Sequence, residues 1–244
     1  MTLIGPYINS AAIFLGASIG AMIGGRIPEA LRNNLILIFG LSSMGMGVVM
    51  ISKVFQMPVI VLSVLIGTII GEIFRLENKL NRLAMSAKGL IEKLSKPKTK
   101  KSLSQEEFLL KFVALVIMFS FSGTGVFGAM NEGIAGDTSI LVVKSLLDFF
   151  TAIIFSTTLG ISVATIVIPQ LSFQLILAYS AVFMKPYVVP EMLSDFAAVG
   201  GMLMIATGFR ICNIQMFRLG NMLPALFLAM PISALWHYLW QILS

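Results

Sequence analysis

The sequence predicts an all-α protein, a polytopic bundle of about eight transmembrane helices, and three observations carry that expectation. Only 11% of the residues are charged against 57% hydrophobic, and the mean hydropathy is +0.95. A soluble domain covers itself with roughly 25% charged residues, so lipid has to be the solvent for most of this surface. Apolar runs of the length that a spanning helix needs, about 20 residues, fill most of the 244-residue chain. The basic residues gather in one stretch between two such runs, which is how membrane proteins set their topology.

Taken in order, the first span runs over about 4–25. It lacks the basic start of a cleavable signal peptide and reads as a retained helix. Spans follow at about 35–52 and at 57–74, the latter opened by Pro58. The 75–106 stretch contains RLENKLNRLAMSAKGLIEKL, whose aliphatic residues recur at helical spacing among mixed charges, followed by the basic KPKTKKSLSQ. It predicts an amphipathic helix at the membrane surface and a tether attracted to anionic lipid. The remaining spans are expected at about 108–128, 139–167, 170–185, 193–210 and 222–243. The fifth and sixth are divided only at Pro169–Gln170, so seven spans is the alternative.

The loop after the third span holds Arg75, Lys79, Arg82, Lys88, Lys93, Lys96, Lys98, Lys100 and Lys101. Lysine and arginine concentrate in cytoplasmic loops, so this loop is expected in the cytoplasm and the N-terminus outside. With eight spans Arg26, Arg32, Arg210 and Arg218 also fall inside. The net charge of +6 therefore reflects topology, and no nucleic-acid partner is expected. Cys212 is the sole cysteine, which excludes a disulfide framework within the chain.

IPEALRNNLILIFGLSSMGMG from Ile27 resembles VPEMLSDFAAVGGMLMIATG from Val189, and QMPVIVLSVL from Gln56 resembles NMLPALFLAM from Asn221. The expected organisation is a three-helix repeat over 1–74, the cytoplasmic loop 75–106, a central pair of helices over 107–169 with a glycine-rich break, and a second, inverted repeat over 170–244. Inverted repeats are characteristic of transporters, with the site near the midplane between them.

Gly16, Gly20 and Gly24 on the first span and Gly67 and Gly71 on the third recur at four-residue spacing. Small residues on one face let helix backbones approach closely in lipid. The candidate site lies between Phe121 and Phe150. Asn131, Glu132 and Asp137 sit in a polar, glycine-rich segment that reads either as a re-entrant break or as an ordinary turn, with Asp137 placed to cap the next helix. Lys144 and Asp148 stand four residues apart within an apolar span. Each bare charge at mid-bilayer costs about 2.5–3.5 kcal/mol on insertion scales, so such residues face the protein interior and pair. Thr151 extends the polar stripe, and Thr158 belongs to a Ser156-Thr157-Thr158 cluster two to three turns farther on. His237, between Trp236 and Tyr238, fits an aromatic belt.

The stretches GAMNEGIAGDTSILVVKSLLDFFTAIIFSTTLG, IPEALRNNLILIFGLSSMGMGV and LIGTIIGEIFRLE resemble the YqgA/YdfK-like bacterial inner-membrane proteins, a family of unknown function often labelled transport proteins. The resemblance covers essentially the whole chain and implies a multi-pass protein of the bacterial cytoplasmic membrane. It carries over no substrate and no catalytic residue. The resulting expectation is a transporter or channel for a small ion or solute, coupled to H⁺ or Na⁺ through Asp148, whose pairing with Lys144 would tune its protonation. The alternative is a membrane scaffold or sensor acting through its basic loop. A homo-oligomer, with membrane lipid as partner, is expected in either case. No HExxH, paired intramembrane aspartates or Ser-His arrangement points to an enzyme, and no cofactor or metal is expected.

Overall fold

The computed structural model describes residues 3–23, 28–86 and 105–243; Gly24 and loop residues 87–104, on which packing and tether expectations fall, lie outside them. The described part of the chain is mostly helical, with no strand among its residues. Its helices are α1 (Gly5–Ile23), α2 (Glu29–Ile51), α3 (Met57–Phe74), α4 (Leu76–Ser86), α5 (Gln105–Ser120), α6 (Gly123–Ala135), α7 (Ser139–Leu159), α8 (Val167–Val182), α9 (Pro190–Ile211), α10 (Leu219–Met222) and α11 (Pro224–Leu243). Prolines open α3 and α9, where a missing N–H costs nothing.

Among the described residues, seven helical stretches are long and apolar enough to cross a membrane. One of them, Ser139–Val182, has 44 residues, about twice a single crossing. It bends through a 3₁₀ segment at Gly160–Ile166, entered at Gly160 with φ 69°, a left-handed conformation that glycine adopts freely. The boundary expected at Pro169–Gln170 therefore falls nearly a turn or more earlier. α8 then runs back toward the start of α1: Ser10 meets Gln170, whereas Gly133, the neighbour of the Glu132 that touches Gly5, meets Ala178 and Ala181. Two passes, and so eight in all, fit this path.

We call the face at which α1 starts the upper face, and the face carrying α4 the lower face. α2 packs on α9, α3 on α11, α1 on α7 and α6 on α8. Glycines set the separations. Gly16 faces the carbonyl of Phe149 and Gly20 that of Ile153, so α1 and α7 run parallel in contact. Gly67 and Gly71 face Ala225 and Asn221, and α3 and α11 run antiparallel. Between α2 and α9 the contacts are reciprocal: Gly40 lies against Gly208 and Gly47 against Gly201.

The outer face of α3 is apolar, with Val61, Leu65, Ile69 and Ile73 each more than half exposed at four-residue spacing, as a lipid-facing stripe requires. α6 is the opposite case, buried from Gly123 to Ile134. Around it Phe127 and Phe196 pack at 5.0 Å between ring centroids, with Gly200 against the Phe127 ring.

The fourth span departs from its expected form. Of the two readings of the glycine-rich 129–138 segment, a re-entrant break or an ordinary turn, the structure has the turn: the segment is helical and buried as far as Ile134, and ends at a left-handed Gly136 with φ 76° before α7 starts at Ser139. The interruption lies earlier, at Phe121–Ser122 between α5 and α6. Glycines here act as contact residues, because in lipid a small residue serves close packing: Gly125 meets Lys144, Gly128 meets Leu141 and Gly133 meets Ala178. α4 carries the expected amphipathic sequence, and packs on α5 and α10.

Candidate functional site

The interruption of α5 and α6 is where the polar groups converge. Ser122 is extended, with φ −68° and ψ 143°, and its Oγ accepts the N–H of Gly125 at 3.2 Å, capping α6. An interrupted helix at membrane depth leaves backbone carbonyls at one end and N–H groups at the other, and is tolerated only inside protein or beside a cavity.

Lys144 and Asp148, one turn apart on α7, form an ion pair beside this interruption, with side chains 4% and 13% exposed. The Lys144 ammonium also approaches the carbonyl of Phe119, in the last turn of α5, at 3.4 Å, and lies 6.0 Å from the Phe119 ring centroid. A cation is favoured at a helix C-terminus by the backbone dipoles. Gly125 provides the room: a Cβ there would stand 2.8 Å from Lys144 Cε, 3.0 Å from Ser122 Oγ and 3.4 Å from Gln174 Nε2.

α1 and α8 complete the site with amides. Asn9, Gln170 and Gln174 are fully buried. Ser10 Oγ lies 2.8 Å from both Pro6 O and Gln170 Oε1, and its single proton serves one of them at a time. Gln170 Nε2 has no partner among the described residues, nor has either amide atom of Gln174 or Asn9. The Asn9 amide faces the Asp148 carboxylate without reaching hydrogen-bond geometry. An unpaired buried polar group costs about 1–3 kcal/mol, so several in one place mark a spot where water, an ion or a solute would be held.

Below the interruption lies a cavity of about 640 Å³. Its upper part is bordered by Ser122 and Thr151, and its lower part by Asn81, Thr207, Glu77 and Arg210. Glu77 holds this mouth together: it pairs with Arg210 at 2.8 Å and accepts the N–H of Gly220 at 2.6 Å.

The other sequence candidates lie elsewhere. Glu132 accepts the N–H groups of Ile4 and Gly5 at 2.8 and 2.9 Å and caps α1, two turns above Gly125. Asn131 donates to the Asp137 carbonyl at 3.4 Å, and Asp137 accepts the N–H of Ser139 at 2.9 Å, fastening the α6–α7 turn. Partial burial works to raise the Asp137 pKa. Hydrogen bonds from Ser139 and Asn131, with the charge of Lys53, outweigh it and hold the carboxyl below its ordinary range. Thr151 returns its hydroxyl to Leu147 O, and Thr158 sits at the lower end of α7.

Asn9, Ser122, Gln170 and Gln174 belong to the cluster although sequence reasoning did not select them. A signal was present, since Gln170 and Gln174 are four residues apart on one face of an apolar helix. A second acid was also passed over. Asp195, fully buried on α9, accepts the N–H groups of Phe55 and Gln56 at 3.0 and 2.8 Å and the Ser233 hydroxyl at 2.7 Å, capping α3.

Residues 4–234 match a family described as protein of unknown function (DUF554). The chain is 48% identical over 233 residues to uncharacterized protein YqgA of Escherichia coli strain K12, covering 96% of this chain and 97% of that one. It is 24% identical over 226 residues to uncharacterized membrane protein YdfK of Bacillus subtilis strain 168, covering 91% and 92%. No solved structure matches the chain.

Proposed function

The chain belongs to the DUF554 family of membrane proteins of unknown function, and from that premise we propose that it carries a small ion or solute across the bacterial cytoplasmic membrane. The observation that carries this reading is the buried Lys144–Asp148 pair at the interrupted α5–α6 helix, near the buried amides of Asn9 and Gln174, which have no hydrogen-bond partner among the described residues. Intramembrane charges are expensive, and where they persist they mark ion and substrate paths. Interrupted helices at mid-membrane serve the same purpose in transporters, because their exposed ends hold ions.

Two further features support it. The cavity, mostly apolar in its walls, extends from Asn81 and Arg210 at the lower face to Ser122 and Thr151, and stops short of Lys144 and Asp148, which do not line it. α4, which belongs to the basic 75–106 stretch, lies on that face, so by the distribution of Lys and Arg in the sequence the cavity opens to the cytoplasm. The reciprocal contacts of α2 and α9 fit an inverted repeat: adding 161 takes Gly40 to Gly201, Gly47 to Gly208, Met44 to Ile205 and Ile51 to Cys212. Gly208–Met44 then answers Gly47–Ile205, and Gly201–Ile51 answers Gly40–Cys212. Such a pair supplies two equivalent packings, as alternating access requires. A scaffold needs neither a cavity nor an unpaired amide cluster.

The test is transport by the purified protein in liposomes, with currents recorded on a solid-supported membrane during jumps in Na⁺, K⁺, H⁺, Cl⁻ and small organic ions. A current in the wild type that is absent in a folded Asp148→Asn variant supports coupled transport through Asp148. Silence over the ionic panel and over the neutral solutes below counts for the scaffold reading.

A further inference from the structure

We propose that the transported solute is a small zwitterion of the α-amino acid kind, its carboxylate at the start of α6 and its ammonium on Asp148; this rests on the transport reading above. The helix interruption offers both signs of partial charge. The last carbonyls of α5 are negative and already draw the Lys144 ammonium to Phe119 O at 3.4 Å. Of the first N–H groups of α6, that of Gly125 is taken by Ser122 Oγ, and those of Gly123 and Thr124 are left to suit a carboxylate.

Charge balance then selects the ligand. Lys144 and Asp148 are neutral as a pair, and opening the pair strands a buried charge on each side. A ligand with one charge of each sign compensates both: its carboxylate replaces Asp148 at Lys144, and its ammonium replaces Lys144 at Asp148. A monocarboxylate leaves Asp148 unpaired, and a simple amine leaves Lys144 unpaired.

The amides supply what remains. Gln174 is fully buried with neither amide atom paired, and its Nε2 is aimed at Gly125, in the first turn of α6. It is placed to donate to the second carboxylate oxygen. Asn9, whose amide approaches Asp148, is the second contact that the ammonium would meet there. Space sets the size. Even one carbon added at Gly125 would crowd Lys144, Ser122 and Gln174 at 2.8–3.4 Å. The space beside Gly125 is thus filled, and room for a solute has to come from opening the Lys144–Asp148 pair, which makes glycine and alanine the first solutes to test.

Counterflow of the full-length protein in liposomes tests this. Vesicles preloaded with unlabelled glycine are given labelled glycine or alanine, with acetate and methylamine as singly charged probes run the same way. The expected result is accumulation of the amino acids but of neither probe, with the half-saturating glycine concentration raised about tenfold by Gln174→Leu, the loss of one hydrogen bond to a charged group. Gln174→Leu removes an unpaired buried amide, so its melting temperature should match or exceed that of the wild type; weaker binding without weaker folding separates a ligand contact from a structural one. Asn9→Leu is the second variant should Gln174→Leu not fold. Carriage of acetate or methylamine in place of the amino acids overturns the zwitterion and leaves transport standing. Unchanged half-saturation in both variants overturns the site. Absence of all movement, in this assay and in the ionic panel, overturns the transport reading together with it.

Discussion

Gly47 and Gly201 occupy each other's side-chain space: a Cβ on either would stand 2.6 Å from the carbonyl oxygen of the other. Gly40 and Gly208 repeat the relationship across the same α2–α9 crossing, at 3.0 and 2.5 Å. Both sides of each contact are backbone, which cannot swing aside as a side chain can. Gly47→Ala and Gly201→Ala should therefore each destabilise the protein by about 1–3 kcal/mol, the usual cost of overpacking. Because the two additions meet at one contact, the double variant should cost less than their sum. Thermal melting in detergent checks this, and unchanged melting of both single variants would refute the packing read from the crossing.

Asp195 neutralises the start of α3 from across the bundle. Asp195→Leu leaves the N–H groups of Phe55 and Gln56 without their acceptor, and the Ser233 hydroxyl with them. Loss of such a cap costs about 1–2 kcal/mol, and more where the stranded donors are buried. Asp195→Asn keeps one oxygen and should retain part of the stability. The ordering wild type, then Asn, then Leu in melting temperature is the expected readout.

Asp137 gives a dependence on pH. Its folded pKa lies below the ordinary value of 3.8, so the folded state favours the ionised form. The stabilisation is then complete above about pH 4 and fades as the pH falls through the lowered folded value. Wild type should melt above Asp137→Ala at pH 6, with the gap narrowing as the pH falls below the ordinary value of 3.8 and through the lowered folded one. A gap that widens on acidification would reverse the sign and refute the assignment.

The legible parts of this molecule were those governed by local chemistry. Hydropathy located the spans, and the four-residue spacing of Lys144 and Asp148 put them on one face before any neighbour was known. The position of the helix interruption was not legible, because glycine has two meanings in lipid. The run from Gly123 to Gly136 looks like a chain of breakers, yet Gly125, Gly128 and Gly133 each sit under a neighbouring helix. The actual break falls at Phe121–Ser122, where the one local sign was a serine three residues before Gly125, the residue whose N–H it caps. Glu132 and Asp195 show the other limit. A buried acid on an apolar helix reads as a site, but whether it meets a ligand or the start of another helix depends on contacts 127 and 140 residues away along the chain.

The side to which the cavity opens can be read directly. In a Cys212→Ser background, which removes the sole cysteine, Asn81→Cys and Thr207→Cys line the lower cavity. Both should react with a membrane-impermeant thiol reagent from the side carrying the 75–106 loop, the cytoplasm in the proposed orientation. Labelling from the opposite side alone would invert that orientation.

The ion pair at the interruption makes the sharpest demand, because its two halves should fail singly and succeed together as far as folding goes. Lys144→Met leaves a buried carboxylate and Asp148→Leu a buried ammonium, each a loss of about 3–5 kcal/mol. In Lys144→Met/Asp148→Leu neither charge remains, and apolar replacement of a buried pair is often neutral or stabilising. The double variant should recover the yield and melting temperature of the wild type in detergent. If the pair were only structural, the recovered protein would behave as the wild type in liposomes. If it forms the solute site, a fully folded double variant should carry nothing, so folding and transport measured on that one protein separate the two roles.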